Sequence, residues 1–192
     1  MEQVVHIYKL GEEPKSYVYW LTKSVEERIS ALEILRERHN KMFKNEPAGQ
    51  LQRVCKLFNS NKVKYLVVGG YAMAAHGHPQ YSDAIDFWIK PDNSNAENIL
   101  QVLNQFGFQS LKITIADLIN PEKIIQLEDP PYRINLITSV ESLIFNQSWG
   151  NKIVVEIDGV PMNFINLYDL RENKKAVGRK QDLADLDNLP EV

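Results

Sequence analysis

Hydrophobic positions along the chain fall into two regimes that meet near residues 44–49. Before that point, Val25, Ile29, Leu32 and Leu35 recur at helical spacing, while Glu26, Glu33, Arg36 and Glu37 occupy much of the remaining surface. Ser24 and Glu27 stand at capping-box spacing just ahead of this stripe and mark a helix start. A one-sided stripe of this length does not sustain an isolated helix, so it needs a surface to dock on. Tyr17, Tyr19 and Trp20 offer further anchors. The pattern predicts docking on the body of the same chain; the alternative is an arm that binds a partner.

After the break the pattern becomes mixed. A helix is expected over about 49–60 with Leu51, Val54, Cys55 and Phe58 buried, and Cys55 on that stripe reads as a small core hydrophobe, not a nucleophile. A β-rich run over 64–68 ends in Gly69-Gly70 and is followed by a short Ala-rich helix over 71–76. A strand is expected over 85–90, a helix over 95–106 carried by Ile99, Val102, Leu103 and Phe106, and a strand over 133–138. Runs over 152–157 and 160–165 flank Asp158-Gly159, a strong hairpin signal. From Leu167 onward the pattern is helical with a break at Gly178. The fold class this predicts is α/β (α+β): a small mixed β-sheet with flanking helices packed around it. The expected organisation is a helical N-terminal extension over 1–47 and one domain over 48–192.

Composition narrows the class. With 44% hydrophobic and 24% charged residues, the chain is not a disordered or fibrous one. Its apolar runs are too short to span a bilayer, so no membrane role is expected. One cysteine excludes an internal disulfide and an all-cysteine zinc site. Together with an N-terminus that lacks a basic stretch followed by an apolar one, this points to a cytoplasmic location. A net charge of −3 provides no global basic field for nucleic acid, so any such contact needs a local patch.

Candidate chemistry concentrates between Val67 and Phe87. A strand that ends in Gly69-Gly70 and opens into a helix presents bare backbone amides to an anion, although a plain tight turn has the same signature. Asp86 lies inside an otherwise apolar strand, where a carboxylate is costly unless it pairs or binds a cation. Residue 84 shares its face, whereas Ile85, Phe87 and Ile89 point the other way. His76 and His78 sit in a turn beside Gly77 and Pro79, which reads as a structured turn before it reads as a metal site. Lys174, Lys175, Arg179 and Lys180 form the one dense basic cluster, suited to a phosphate backbone or to plain solvation, with Asp182 and Asp185 placed to neutralise it.

These residues resemble the nucleotidyltransferase fold of DNA polymerase beta type. Within it, the likeness is to the minimal bacterial nucleotidyltransferases of toxin–antitoxin and abortive-infection systems. The motifs that carry it are Gly69-Gly70, a short helix, then Ser82, and a strand in which the family reads Asp-x-Asp and this chain reads Ala84-Ile85-Asp86. The stretch from Tyr132 to Ser139 resembles the strand that supplies a third Asp, and Asp169 to Leu186 resembles the C-terminal helices. Trp20 to Leu35 resembles a short segment often encoded just upstream of such enzymes, here fused in front.

The resemblance implies transfer of a nucleoside monophosphate from an NTP to a protein or RNA acceptor. In that family three carboxylates hold two Mg²⁺ ions that bridge the triphosphate and activate the attacking hydroxyl. It implies Gly69, Gly70 and Ser82 as phosphate-binding residues, Lys174 as a point charge on the triphosphate, and Asp86 as catalytic metal ligand. The chain departs from the pattern at three positions. The first Asp of the pair is Ala84, the third carboxylate is Asn135, and the usual Arg before the aromatic is Gln80. Asp83 is the wrong neighbour to substitute if it lies in the strand, since it then faces away. One carboxylate and an amide make a weakened Mg²⁺ site. The rival reading is therefore a catalytically inactive nucleotide- or partner-binding module of a toxin–antitoxin or defence system. On either reading Gly69, Gly70, Ser82, Asp86 and Lys174 are expected to meet in one cleft.

Overall fold

The computed structural model describes residues 16–40, 50–105, 112–121, 123–127 and 133–191. The expected boundary at 47/48, the helix start at Gly49, and the expected contributions of Phe106 and Tyr132 lie outside the described residues. In chain order the elements are α1 (Ser16–Leu21), α2 (Val25–Asn40), α3 (Gln50–Ser60), β1 (Tyr65–Val68), α4 (Gly69–Ala75), β2 (Ala84–Ile89), α5 (Asn93–Gln105), α6 (Ile115–Ile119), β3 (Ile124–Leu127), β4 (Arg133–Ile137), α7 (Phe145–Gly150), β5 (Ile153–Ile157), β6 (Val160–Phe164), α8 (Leu167–Val177) and α9 (Lys180–Asp187).

One six-stranded mixed sheet runs in the order β3-β4-β2-β1-β6-β5. β1 pairs antiparallel with β2, β2 parallel with β4, and β1 parallel with β6. The β5–β6 hairpin turns through Asp158 and Gly159, both at positive φ, as a two-residue loop matched to the strand twist requires. The strand edges expected from sequence are right to within a residue or so. β3, α6 and α7 carry too few patterned residues to have been read, and all three are four to six residues long.

The pleat divides the sheet as the alternation predicts. Phe87 points to one face, where it meets Phe58 of α3 at 5.1 Å and Tyr65 at 5.6 Å between ring centroids. Trp88 points to the other, where Phe145 of α7 stacks edge-on at 5.2 Å. Helices therefore cover both faces, as flanking helices packed around the sheet require. The central strands are buried on both sides, and only a second helical layer can keep Trp88 and Val68 from water. Cys55 is fully buried in this core, and its thiol is pushed up to about 12, chiefly by desolvation, in line with a packing role.

α2 docks on α4 and begins with the expected capping box: Glu27 N–H donates to Ser24 Oγ at 3.1 Å, and Ser24 N–H to Glu27 Oε2 at 2.7 Å. Its buried face is rotated relative to the sequence stripe. Ile29 and Leu32 are buried as expected, but Leu35 is 38% exposed and Arg36 only 3%. The reason is polar. The Tyr71 hydroxyl of α4 accepts from Arg36 Nη1 and donates to Glu33, and Arg28 Nη1 donates to the Ala75 carbonyl at the other end of α4. A helix that supplies two arginines to its partner must turn them inward, and Leu35 is carried out to the rim.

Candidate functional site

The site is built where β1 gives way to α4. Val68 ends the strand, and Gly69, at φ +61°, starts the helix in a conformation that suits glycine. A Cβ at Gly69 would stand 2.1 Å from Asp86 Oδ2, and one at Gly70 would stand 2.7 Å from Ser82 Cβ. Both glycines are therefore needed for close approach: the turn lies directly on the carboxylate and on the serine. Val68 and Asp86 are register partners in β1 and β2, which fixes that proximity.

Five residues expected to meet do line one cleft of about 360 Å³: Gly69, Gly70, Ser82, Asp86 and Lys174. Gln80 is there as well. Lys174 reaches it because Gly178, in the left-handed conformation, closes α8 and lets α9 fold back beside it. Sequence reasoning placed Lys174 as a point charge open to a triphosphate. Instead its ammonium is buried and donates to Asp185 Oδ2 at 2.5 Å and Asp182 Oδ1 at 3.3 Å. Arg179 Nε also donates to Asp182, at 2.6 Å. A lysine sunk this far cannot stay charged unpaired, and the i, i+3 carboxylates of α9 are the groups within reach. Burial alone would push Asp182 up; the Arg179 hydrogen bond and the Lys174 ammonium outweigh it and hold that carboxyl below its usual range.

The other expected residues are also engaged. Ser82 donates its hydroxyl hydrogen to the Ala84 carbonyl at 2.8 Å, leaving its lone pairs toward the cleft. Gln80 donates to Asp185 Oδ1 at 3.3 Å, so an amide holds the carboxylate where the resembling family places an arginine. Asp83 precedes β2, lines the same cleft as Asp86 and pairs with Arg133. The objection that it must face away falls, because it lies outside the strand; its pairing with Arg133, which the sequence did not suggest, commits it instead. His76 is buried and donates to the Ile165 carbonyl at 2.8 Å, and burial depresses the pKa of both His76 and His78. Together these make a structured turn.

Asp86, Asn135 and Ala84 decide what the site can do with a metal. β2 and β4 set Asp86 beside Asn135, whose Nδ2 donates to Asp86 Oδ1 at 2.7 Å. Burial raises the Asp86 pKa, and the Asn135 hydrogen bond opposes that rise only in part. Ala84, two residues back on the same face, is 4% exposed and supplies no ligand. Among the described residues no group of three or more His, Cys, Asp or Glu side chains could hold a metal ion. An N–H donor against the Asp86 carboxylate occupies a lone pair that a cation would need, and neither Ala84 nor Asn135 adds a second carboxylate beside it, so the residues present do not fit a two-Mg²⁺ centre.

A second cavity of about 380 Å³ adjoins the cleft and shares Gly69, Asp86 and Arg179 with it. It lies over β3 and β4, on the sheet face that carries Asn135. No helix among the described residues is long and apolar enough to cross a membrane.

No protein-family model matches this sequence, and no curated protein matches it. Among solved structures, the fold is similar to that of a provisionally assigned nucleotidyltransferase from Thermotoga maritima, at 18% identity over 71% of this chain and 88% of that one, with a TM-score of 0.48. It is also similar to an antigenic nucleotidyltransferase-like protein from Paracoccidioides brasiliensis, at 14% identity over 73% of this chain and 75% of that one, with a TM-score of 0.45.

Proposed function

We propose that this chain is a nucleotide-binding protein of nucleotidyltransferase type that holds a nucleoside triphosphate in the Gly69–Asp86–Lys174 cleft without transferring it. One observation carries this reading: the Asn135 amide donates to Asp86 Oδ1, so one oxygen of the carboxylate that would hold a metal is already engaged. The shape of the cleft supports the binding half. Gly69 and Gly70 line the cleft and bring the turn directly onto Asp86 and Ser82, and the Lys174 and Arg179 charges are held there by carboxylates that a phosphate chain can replace as acceptors. On the same reading the output is a contact with a protein partner, of the toxin–antitoxin or defence kind that the sequence resemblance implies. An RNA end as acceptor belongs to the transferring relatives and not to this chain.

The test has two arms. Calorimetric titration with ATP and GTP is expected to give saturable binding at a single site. Incubation with radiolabelled NTP and Mg²⁺ is expected to leave protein and RNA unlabelled, while a chain carrying both Ala84→Asp and Asn135→Asp gains labelling. Sustained Mg²⁺-dependent transfer by the unaltered chain overturns the inactive half, and failure of every NTP to bind overturns the whole reading.

A further inference from the structure

The second cavity is chemically unlike the first. Its aliphatic lining includes Ile137 and Val177, and beyond the shared Asp86 and Arg179 its polar groups are Gln126, Asn135, Ser139, Asn173 and Glu141. The cleft, by contrast, holds its four carboxylates among two cations. Because the two share Gly69, Asp86 and Arg179, a ligand whose charged end lies on the glycine turn continues into the aliphatic chamber. An extended molecule with an anionic end and a flat, weakly polar end matches this pair of spaces.

The amides are not neutral as to which flat group they accept. Asn135 spends Nδ2 on Asp86 and keeps Oδ1 buried with no hydrogen-bond partner. Reversing the amide would set oxygen against oxygen, so this orientation is the one the carboxylate dictates. Asn173, which lines the same chamber, spends Nδ2 on the Glu141 carbonyl at 3.2 Å, which leaves its oxygen as the acceptor it can offer. Glu141 adds a carboxylate on the same wall. The chamber is thus rich in acceptors, and a buried acceptor without a donor is costly until one is supplied.

Resting on the nucleotide-binding reading above, we infer that the chamber over β3 and β4 is the base-recognition half of the site, and that it selects nucleobases with an exocyclic amino group over those without one. Asn135 and Asn173 act as acceptors for that amino group, and Ile137 and Val177 supply apolar surface for the ring.

The test uses the full chain and six probes: tripolyphosphate, GTP, ITP, UTP, guanosine and inosine. GTP and ITP differ only in the 2-amino group. GTP is expected to bind about five- to tenfold more tightly than ITP, the scale of one neutral hydrogen bond, and UTP to follow ITP. Asn173→Leu is expected to erase the GTP–ITP difference while leaving tripolyphosphate binding unchanged. Gln126→Leu, on the exposed strand β3, gives a second variant in case the first fails to fold; it is expected to weaken GTP and not tripolyphosphate. If tripolyphosphate, GTP, ITP and UTP bind alike, the base-recognition inference is overturned and the phosphate site stands. If tripolyphosphate fails but guanosine binds with discrimination against inosine, the phosphate reading is overturned and the chamber stands. If no probe binds, both fall.

Discussion

Asn135 and Asp86 sit side by side on parallel strands and share a 2.7 Å hydrogen bond from the amide to the carboxylate. In the resembling family a carboxylate stands at position 135, and two carboxylates there would repel until a cation joined them. Here the amide donates to the carboxylate without one. On the proposed reading, an amide at 135 gives Asp86 a structural contact where the resembling family has a metal ligand.

That exchange can be reversed. Asn135→Asp puts two carboxylates within hydrogen-bond distance and is expected to destabilise the metal-free protein by about 1–3 kcal/mol, the cost of losing a bond to a charged partner. Added Mg²⁺ should return part of that loss to the variant and leave the unaltered chain unmoved. Thermal melts with and without Mg²⁺ read both effects.

Gly69 is tied to Asp86 by contact as well as by backbone conformation. Gly69→Ala should cost about 2–3 kcal/mol, from positive-φ strain plus the clash with Oδ2. In an Asp86→Ala background the clash is gone, and the same change should cost only about 1 kcal/mol. Denaturant unfolding of the four proteins in the cycle measures the coupling; costs that simply add would show that the turn does not depend on the carboxylate.

The Lys174 cluster behaves as a buried ion pair. Lys174→Met leaves Asp182 and Asp185 facing each other's charge and is expected to cost about 3–5 kcal/mol. Melting temperature against pH separates Asp182 from Asp86. The Asp182 pKa lies below its usual value, so its contribution is present above the unfolded pKa and is lost as pH falls through the folded one. Asp182→Asn should therefore destabilise at neutral pH and become silent in acid. The Asp86 pKa is raised, so its contribution is present below the unfolded pKa and is lost as pH rises through the folded one. Asp86→Asn should stabilise at neutral pH, with the gain vanishing in acid.

Tyr71 joins α2 to the first turn of α4. Tyr71→Phe removes the hydroxyl that Arg36 donates to and is expected to cost about 1–3 kcal/mol, because a buried guanidinium loses an acceptor. Leu35→Ala, at a position the sequence stripe placed in the core, should cost less than about 0.5 kcal/mol, since that residue lies at the rim. Equal effects of the two changes would put the docking face back where the stripe had it.

Local chemistry was legible in the linear order. The capping box at Ser24 and Glu27, the Asp158-Gly159 hairpin, the strand-to-glycine turn at Val68–Gly70 and the alternation through Ile85, Asp86 and Phe87 all depend on residues within a few positions of each other, where spacing alone dictates geometry. The departures Ala84 and Asn135 could be read for the same reason. What each charged group is paired with could not. Whether Arg36 faces water depends on Tyr71, whether Lys174 is open to a ligand depends on how Gly178 folds α9 back, and whether Asp83 can serve the cleft depends on Arg133. These partners are distant in sequence and have no periodicity to announce them. A charge acquires its role from the opposite charge that burial forces it to find, and only the tertiary structure makes that choice.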